Sequence, residues 1–145
     1  AYTTNTGALT LVKCQDESCL TFTTQVVGSA YHLSMTLGSD GFPILAYYAP
    51  PSSGNAGLFV IHCTDTACAN PVTPTFVQTT FSITIPDIAI GANGFPLITY
   101  NSPFTGTNGA QEVLPCLDVA CTTLGPAAAV GETSRNAHPF PSINN

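Results

Sequence analysis

Six cysteines stand in three pairs of identical spacing: Cys14 and Cys19, Cys63 and Cys68, Cys116 and Cys121. In each pair an aspartate follows the first cysteine by two positions, giving Asp16, Asp65 and Asp118. Two chemistries use cysteines this close. One is a disulfide across a tight turn, where a hairpin brings residues i and i+5 opposite each other at a bridgeable distance. The other is a metal site. Zinc favours shorter Cys spacings with matching His or Cys partners, and no histidine recurs with these pairs, so the metal reading is the poorer fit. The repeat singles out the local pairing 14–19, 63–68 and 116–121, which suggests an oxidising compartment. The aspartates could in principle serve Ca²⁺ or acid–base chemistry. Their identical placement in three loops favours turn capping, each carboxylate accepting a backbone N–H of its own loop.

Other chemistry is sparse. His32, His62 and His138 fall at different phases of the spacing, with no nucleophile and acid at a recognisable distance. His62 precedes Cys63 within a strand and is expected to point outward. The chain contains no G-x-S-x-G, H-E-x-x-H, P-loop or G-x-G-x-x-G pattern. One arginine is too few for the carboxylate clamp of sialidase propellers. No acid is flanked by a motif marking a raised pKa of the glycosidase kind. The expectation is therefore a protein that is not an enzyme, with no catalytic, cofactor or metal residues. A glycan site would have to stack sugars on Tyr31, Tyr47, Tyr48 or Tyr100, because the chain has no tryptophan.

The elements that position the cysteine loops repeat with them. First cysteines lie 49 and then 53 residues apart (63 − 14; 116 − 63). Ser34 to Tyr47 matches Asp87 to Tyr100, and Phe42 to Cys63 and Phe95 to Cys116 are both 21 residues. A period near 50 marks tandem structural units. Each unit reads as four short strands. The first is Leu33 to Leu37, or Ile83 to Ile90 with a break at Pro86. Asp40-Gly41 and Asn93-Gly94 then signal type I′ hairpin turns. The second strand is Pro43 to Tyr48, or Pro96 to Tyr100. The third is Leu9 to Cys14, Leu58 to Cys63, or Glu112 to Cys116. The fourth is Leu20 to Val27, Val72 to Thr80, or Thr123 to Val130. Thr, Val, Ile, Tyr and Phe dominate these runs, and no long stretch keeps a helical apolar period. The expected fold is all-β: three four-stranded antiparallel meander repeats resembling β-propeller blades, in one repeat domain. Its units are 1–30 (partial), 31–80, 81–130 and 131–145 (partial, completing the first).

On these residues the unit resembles a tandem repeat of secreted bacterial proteins, S-I-A-I-G-x-D-G-x-P-V-I-S-Y…L-x-V-x-x-C-x-D-x-x-C. The resemblance covers essentially the whole chain. It implies propeller-like blades and secretion, and it implies no chemistry. The third unit departs from it, with Asn136-Ala137-His138-Pro139-Phe140-Pro141 in place of the D-G-F-P turn.

Composition bounds the partners. The chain has 145 residues, 44% of them hydrophobic and only 7% charged. A Thr-rich, weakly charged strand surface is prone to association. With a net charge of −6 and only Lys13 and Arg135 as basic residues, phosphate neutralisation on nucleic acid is excluded, and no polybasic membrane patch exists. No apolar run is long enough to insert in a membrane. The chain shows no signal peptide and is expected to be a mature form or a piece of a longer protein.

The two ends look complementary. Residues 1–14 correspond to the end of a second strand and a whole third strand. His138 to Ile143 corresponds to a hairpin turn and the start of a second strand. Joined, Phe140 to the next Cys14 spans 5 + 14 = 19 residues, against 21 internally. The expected function is that of an extracellular structural protein. It would assemble with itself head to tail, into a ring or a filament, by strand pairing and burial of Leu9, Leu11, Phe140 and Ile143. The alternative is a secreted, lectin-like propeller module that binds glycans.

Overall fold

The computed structural model describes residues 1–49, 56–69, 73–78, 85–102 and 109–133. Within them the chain is strand and turn, with no helix. The first sheet is β1 (Tyr2–Thr3), β2 (Ala8–Cys14) and β3 (Phe22–Ser29), in that order. The second is β4 (His32–Leu37), β5 (Pro43–Ala49), β6 (Gly57–His62) and β7 (Thr75–Gln78). The third is β8 (Asp87–Ile90), β9 (Pro96–Asn101), β10 (Gly109–Pro115) and β11 (Ala128–Thr133). Among the described residues every strand pairing is antiparallel between sequence neighbours, and no sheet closes into a barrel.

Registers agree between sheets. Tyr2 pairs with Thr10, Tyr47 with Phe59 and Tyr100 with Glu112. Ile44 pairs with His62 and Leu97 with Pro115, each partner standing immediately before a cysteine. A bulge interrupts the third-to-fourth strand pairing in all three sheets, at Leu9/Thr10, Leu58/Phe59 and Gln111/Glu112.

The first sheet has three strands where the other two have four. Its β1 has two residues and pairs with Leu9 and Thr10, so among the described residues β2 is paired from Leu11 to Cys14 on one side only, to β3. The expected fourth strands also shift. Gly125 N–H donates to the Pro115 carbonyl at 2.8 Å and Leu124 bridges Cys116, after which Pro126 has no N–H to continue the ladder. Regular pairing therefore starts at Ala128 and not at Thr123. Residues 79–84, which carry part of the expected Ile83–Ile90 strand, lie outside the described residues, as do 134–145 with Phe140 and Ile143.

The hairpin turns differ from the type I′ expectation. Asp40 and Asn93 do not take positive φ; Gly41 and Gly94 do, at +80° each. Gly41 N–H donates to Gly38 O at 2.9 Å and Gly38 N–H to Phe42 O at 2.8 Å. Asp40 Oδ1 accepts from Phe42 N–H at 3.0 Å, and Asn93 Oδ1 accepts likewise from Phe95 N–H. The loop is a type I turn closed by a left-handed glycine. The Asx side-chain bond rewards a negative φ at the residue before that glycine, which a two-residue I′ loop would not allow.

Two apolar cores lie between the sheets. Leu9, Leu11 and Ala30 of the first pack with Leu45, Tyr47, Ala49, Ile61, Cys63 and Cys68 of the second. Ile44, Ala46, Leu58 and Val60 of the second pack with Ile88, Ile98, Tyr100, Leu114, Cys116 and Cys121 of the third. Both faces of the second sheet are thus covered, and every residue of β5 is buried. A near-continuous apolar run such as Pro-Ile-Leu-Ala-Tyr-Tyr-Ala suits that position. At the edge, Ser34 Oγ donates to Asp87 Oδ1, linking β4 to β8.

Candidate functional site

The three cysteine loops are one structure built three times. Disulfides join Cys14 to Cys19, Cys63 to Cys68 and Cys116 to Cys121, with Cα–Cα distances of 4.7, 4.9 and 4.9 Å. The second cysteine of each pair is left-handed, with φ of 54°, 53° and 56° at Cys19, Cys68 and Cys121. These are the only non-glycine residues with positive φ among the described residues. Such a conformation costs an L-residue about 1–2 kcal/mol. The turn around it offsets that cost. Cys19 N–H donates to Asp16 O at 3.1 Å, and Cys68 and Cys121 donate to Asp65 O and Asp118 O at 3.2 Å.

The aspartate side chains hold the same loops from inside. Asp16 Oδ1 accepts from the N–H groups of Ser18 and Leu20 at 3.0 and 3.1 Å, and Oδ2 from Thr21 N–H at 2.8 Å and the Thr21 hydroxyl. Asp65 accepts from Ala67 N–H at 2.7 Å and from Ala69 N–H. Asp118 accepts from Ala120 and Thr122 N–H at 3.0 Å, Thr123 N–H at 2.6 Å and the Thr122 hydroxyl at 2.8 Å. Carboxylates so engaged are acceptors already filled by their own chain. Among the described residues no cluster of three or more His, Cys, Asp or Glu side chains could hold a metal ion.

The hydrogen bonds also set acidity. The Thr21 hydroxyl, then the Thr21 and Leu20 N–H groups, lower Asp16 to about 2. At Asp118 burial pushes the pKa up, but the bonds from Thr122 and Thr123 outweigh it and leave the group at about 2. A carboxylate held this acidic stays ionised at neutral pH and is a poor proton donor.

The loops differ in exposure. Cys63, Cys68, Cys116 and Cys121 are fully buried, each packed into one of the two cores, while Cys14 is exposed and Cys19 half-buried. Leu9 and Leu11 lie inside the core between the first and second sheets.

His62 does not point outward. Both faces of the second sheet are covered, so β6 has no solvent side, and His62 Nε2 lies 2.9 Å from Asp40 Oδ2. The contact ties the hairpin turn to the strand beside the disulfide. In the first sheet the place of His62 belongs to Lys13, whose ammonium donates to Thr66 Oγ1 of the second cysteine loop at 2.7 Å.

Of the four tyrosines considered for sugar stacking, Tyr47, Tyr48 and Tyr100 are buried, and a buried ring offers no face to a ligand. Tyr31 is exposed. Among the described residues no helix is long and apolar enough to cross a membrane. Compared with protein-family models, curated proteins and solved structures, the chain matches none.

Proposed function

We propose that this chain is a non-catalytic, secreted structural protein that assembles head to tail. In this reading the incomplete edge of one copy's first sheet is filled by a terminal strand of another, and the product is a ring or a filament. The observation that carries it is the edge of β2. In the second sheet β6 is paired to β5 from Gly57 to His62, and in the third β10 is paired to β9 from Gln111 to Pro115. In the first, among the described residues, Leu11, Val12 and Lys13 lack the partner that Ala46, Leu45 and Ile44 supply in the second. Unpaired strand edges are templates for strand addition.

Further support comes from the stacking of the three meanders in sequence order, which suits propeller-like blades. A propeller needs about four to eight of them. Heterologous addition of copies supplies more blades and either closes or propagates. Three disulfides are compatible with an extracellular compartment.

Sedimentation tests the reading. The full chain should sediment as large particles that survive 1 M NaCl, because main-chain pairing and apolar burial do not depend on exposed charges. Deletion of residues 136–145 should leave monomers. A full chain that stays monomeric at millimolar concentration, or particles that dissolve in salt, would refute it.

A further inference from the structure

The sheets stack with a fixed polarity. Each bears its disulfide on one face, and in the second and third sheets that face is covered by the sheet before it. Ile61, Cys63 and Tyr47 meet Leu9 and Leu11. One unit further on, Leu114, Cys116 and Tyr100 meet Leu58 and Val60. The same contact is made twice with corresponding residues.

Among the described residues the series leaves one face of each kind uncovered. On the first sheet it is the disulfide face. Tyr2 pairs with Thr10 and stands where Tyr47 and Tyr100 stand, and Val12 stands where Ile61 and Leu114 stand, two places before the cysteine. Phe22 and Val26 pair with Cys14 and Thr10 and so share this face. Tyr2, Phe22 and Val26 are 47, 57 and 61% exposed, whereas Tyr47 and Tyr100 are 4 and 0% exposed. On the third sheet the uncovered face is the opposite one. There Leu97 and Val113 stand where Ile44 and Val60 stand in the second sheet, and both are half-buried.

We infer that the exposed disulfide face of the first sheet docks on the outer face of the third sheet of a second copy. The contact repeats the one that joins the first sheet to the second and the second to the third. The inference rests on the head-to-tail reading and specifies its surface. The occupant follows from the chain itself: twice within one molecule, a disulfide face of this kind is covered by a sheet face of this kind. The contact is heterologous, so a docked pair keeps one free face of each type and addition can continue.

Two half-buried residues at the centre of the surface supply the test. Val12 corresponds to Ile61, which packs on Leu9 and Leu11, and the third-sheet position corresponding to Leu11 is Val113. Val12→Arg and Val113→Glu are made separately, and their association is measured by sedimentation velocity beside the parent chain. Each variant alone should associate at least about tenfold more weakly, the loss typical of a central contact residue. An equimolar mixture should recover a defined dimer, because each variant keeps the intact face that the other has lost. Recovery on mixing also shows that both variants are folded. If the parent chain is monomeric, both this inference and the head-to-tail reading fall. If the parent associates and either variant associates equally well, or folded variants do not complement, this stacking is wrong while head-to-tail assembly stands.

Discussion

Tyr2 and Tyr47 occupy the same register position in successive sheets, yet one is half exposed and the other buried. Tyr2 faces Thr10 across β1 and β2 as Tyr47 faces Phe59 across β5 and β6. Tyr47 is 4% exposed and stacks on Phe59 at a centroid distance of 5.6 Å, with Phe76 meeting Phe59 edge-on. What separates them is whether a neighbouring sheet lies over the ring.

That difference predicts unequal costs for one substitution. Tyr47→Ala removes a large ring from the core between the first and second sheets and should destabilise the monomer by about 3–5 kcal/mol. Tyr2→Ala should cost about 1 kcal/mol or less in the dissociated chain. Urea unfolding at low protein concentration reads both. Burial also pushes the Tyr47 hydroxyl up to about 12. A tyrosine in the unfolded chain ionises near about pH 10. Between those values the unfolded state binds fewer protons, so stability should fall as pH rises, and Tyr47→Phe should remove that fall.

Acid should loosen the cysteine loops. Asp16 and Asp118 each sit at about 2 in the folded chain. An unfolded aspartate titrates near about 3.9. Both folded values are depressed, so between them the unfolded state binds more protons. The stability these groups contribute is therefore complete above about pH 4 and is lost as pH falls through about 2. The urea midpoint of the parent chain should drop across that window. Asp16→Asn combined with Asp118→Asn should flatten the drop while keeping an acceptor oxygen in each loop. An unchanged slope in the double variant would assign the acid sensitivity elsewhere.

Much of the strand framework can be read before any coordinates. Gly-Phe-Pro at the head of β5 and β9, and the cysteine ending β2, mark strand boundaries through local chemistry: a left-handed glycine, a missing N–H, a covalent tie. Those signals act within a few residues of themselves. The aspartate hydrogen bonds were legible for the same reason, because donor and acceptor lie within five positions. The His62–Asp40 contact was not, since it depends on which face of β6 is covered, and period-two alternation marks no outside when a sheet is buried on both sides. The turn type escaped because Asp-Gly fits two loop geometries, and the side-chain bond from Asp40 to Phe42 N–H selects between them. The stacking polarity of the sheets is a relation between units and leaves no mark inside any one of them.

Removing disulfides should have graded effects that follow burial rather than loop length. All three close loops of the same five-residue separation. Chain entropy alone therefore assigns each about 2 kcal/mol. Cys14 is exposed and Cys19 half-buried, so Cys14→Ser with Cys19→Ser should cost about that amount and leave the fold intact. Cys63 and Cys68 are 0 and 1% exposed and pack in the core with Leu45 and Ile61. Serines there would bury two hydroxyls at about 1–3 kcal/mol each if left without partners. Cys63→Ser with Cys68→Ser should therefore cost about 4 kcal/mol or more, and the corresponding alanine pair less than the serine pair. Equilibrium unfolding of the three double variants, checked by non-reducing peptide mapping, decides the point. Equal losses at the exposed and buried pairs would show that loop closure, and not packing of the sulfurs between sheets, is what the cystines contribute.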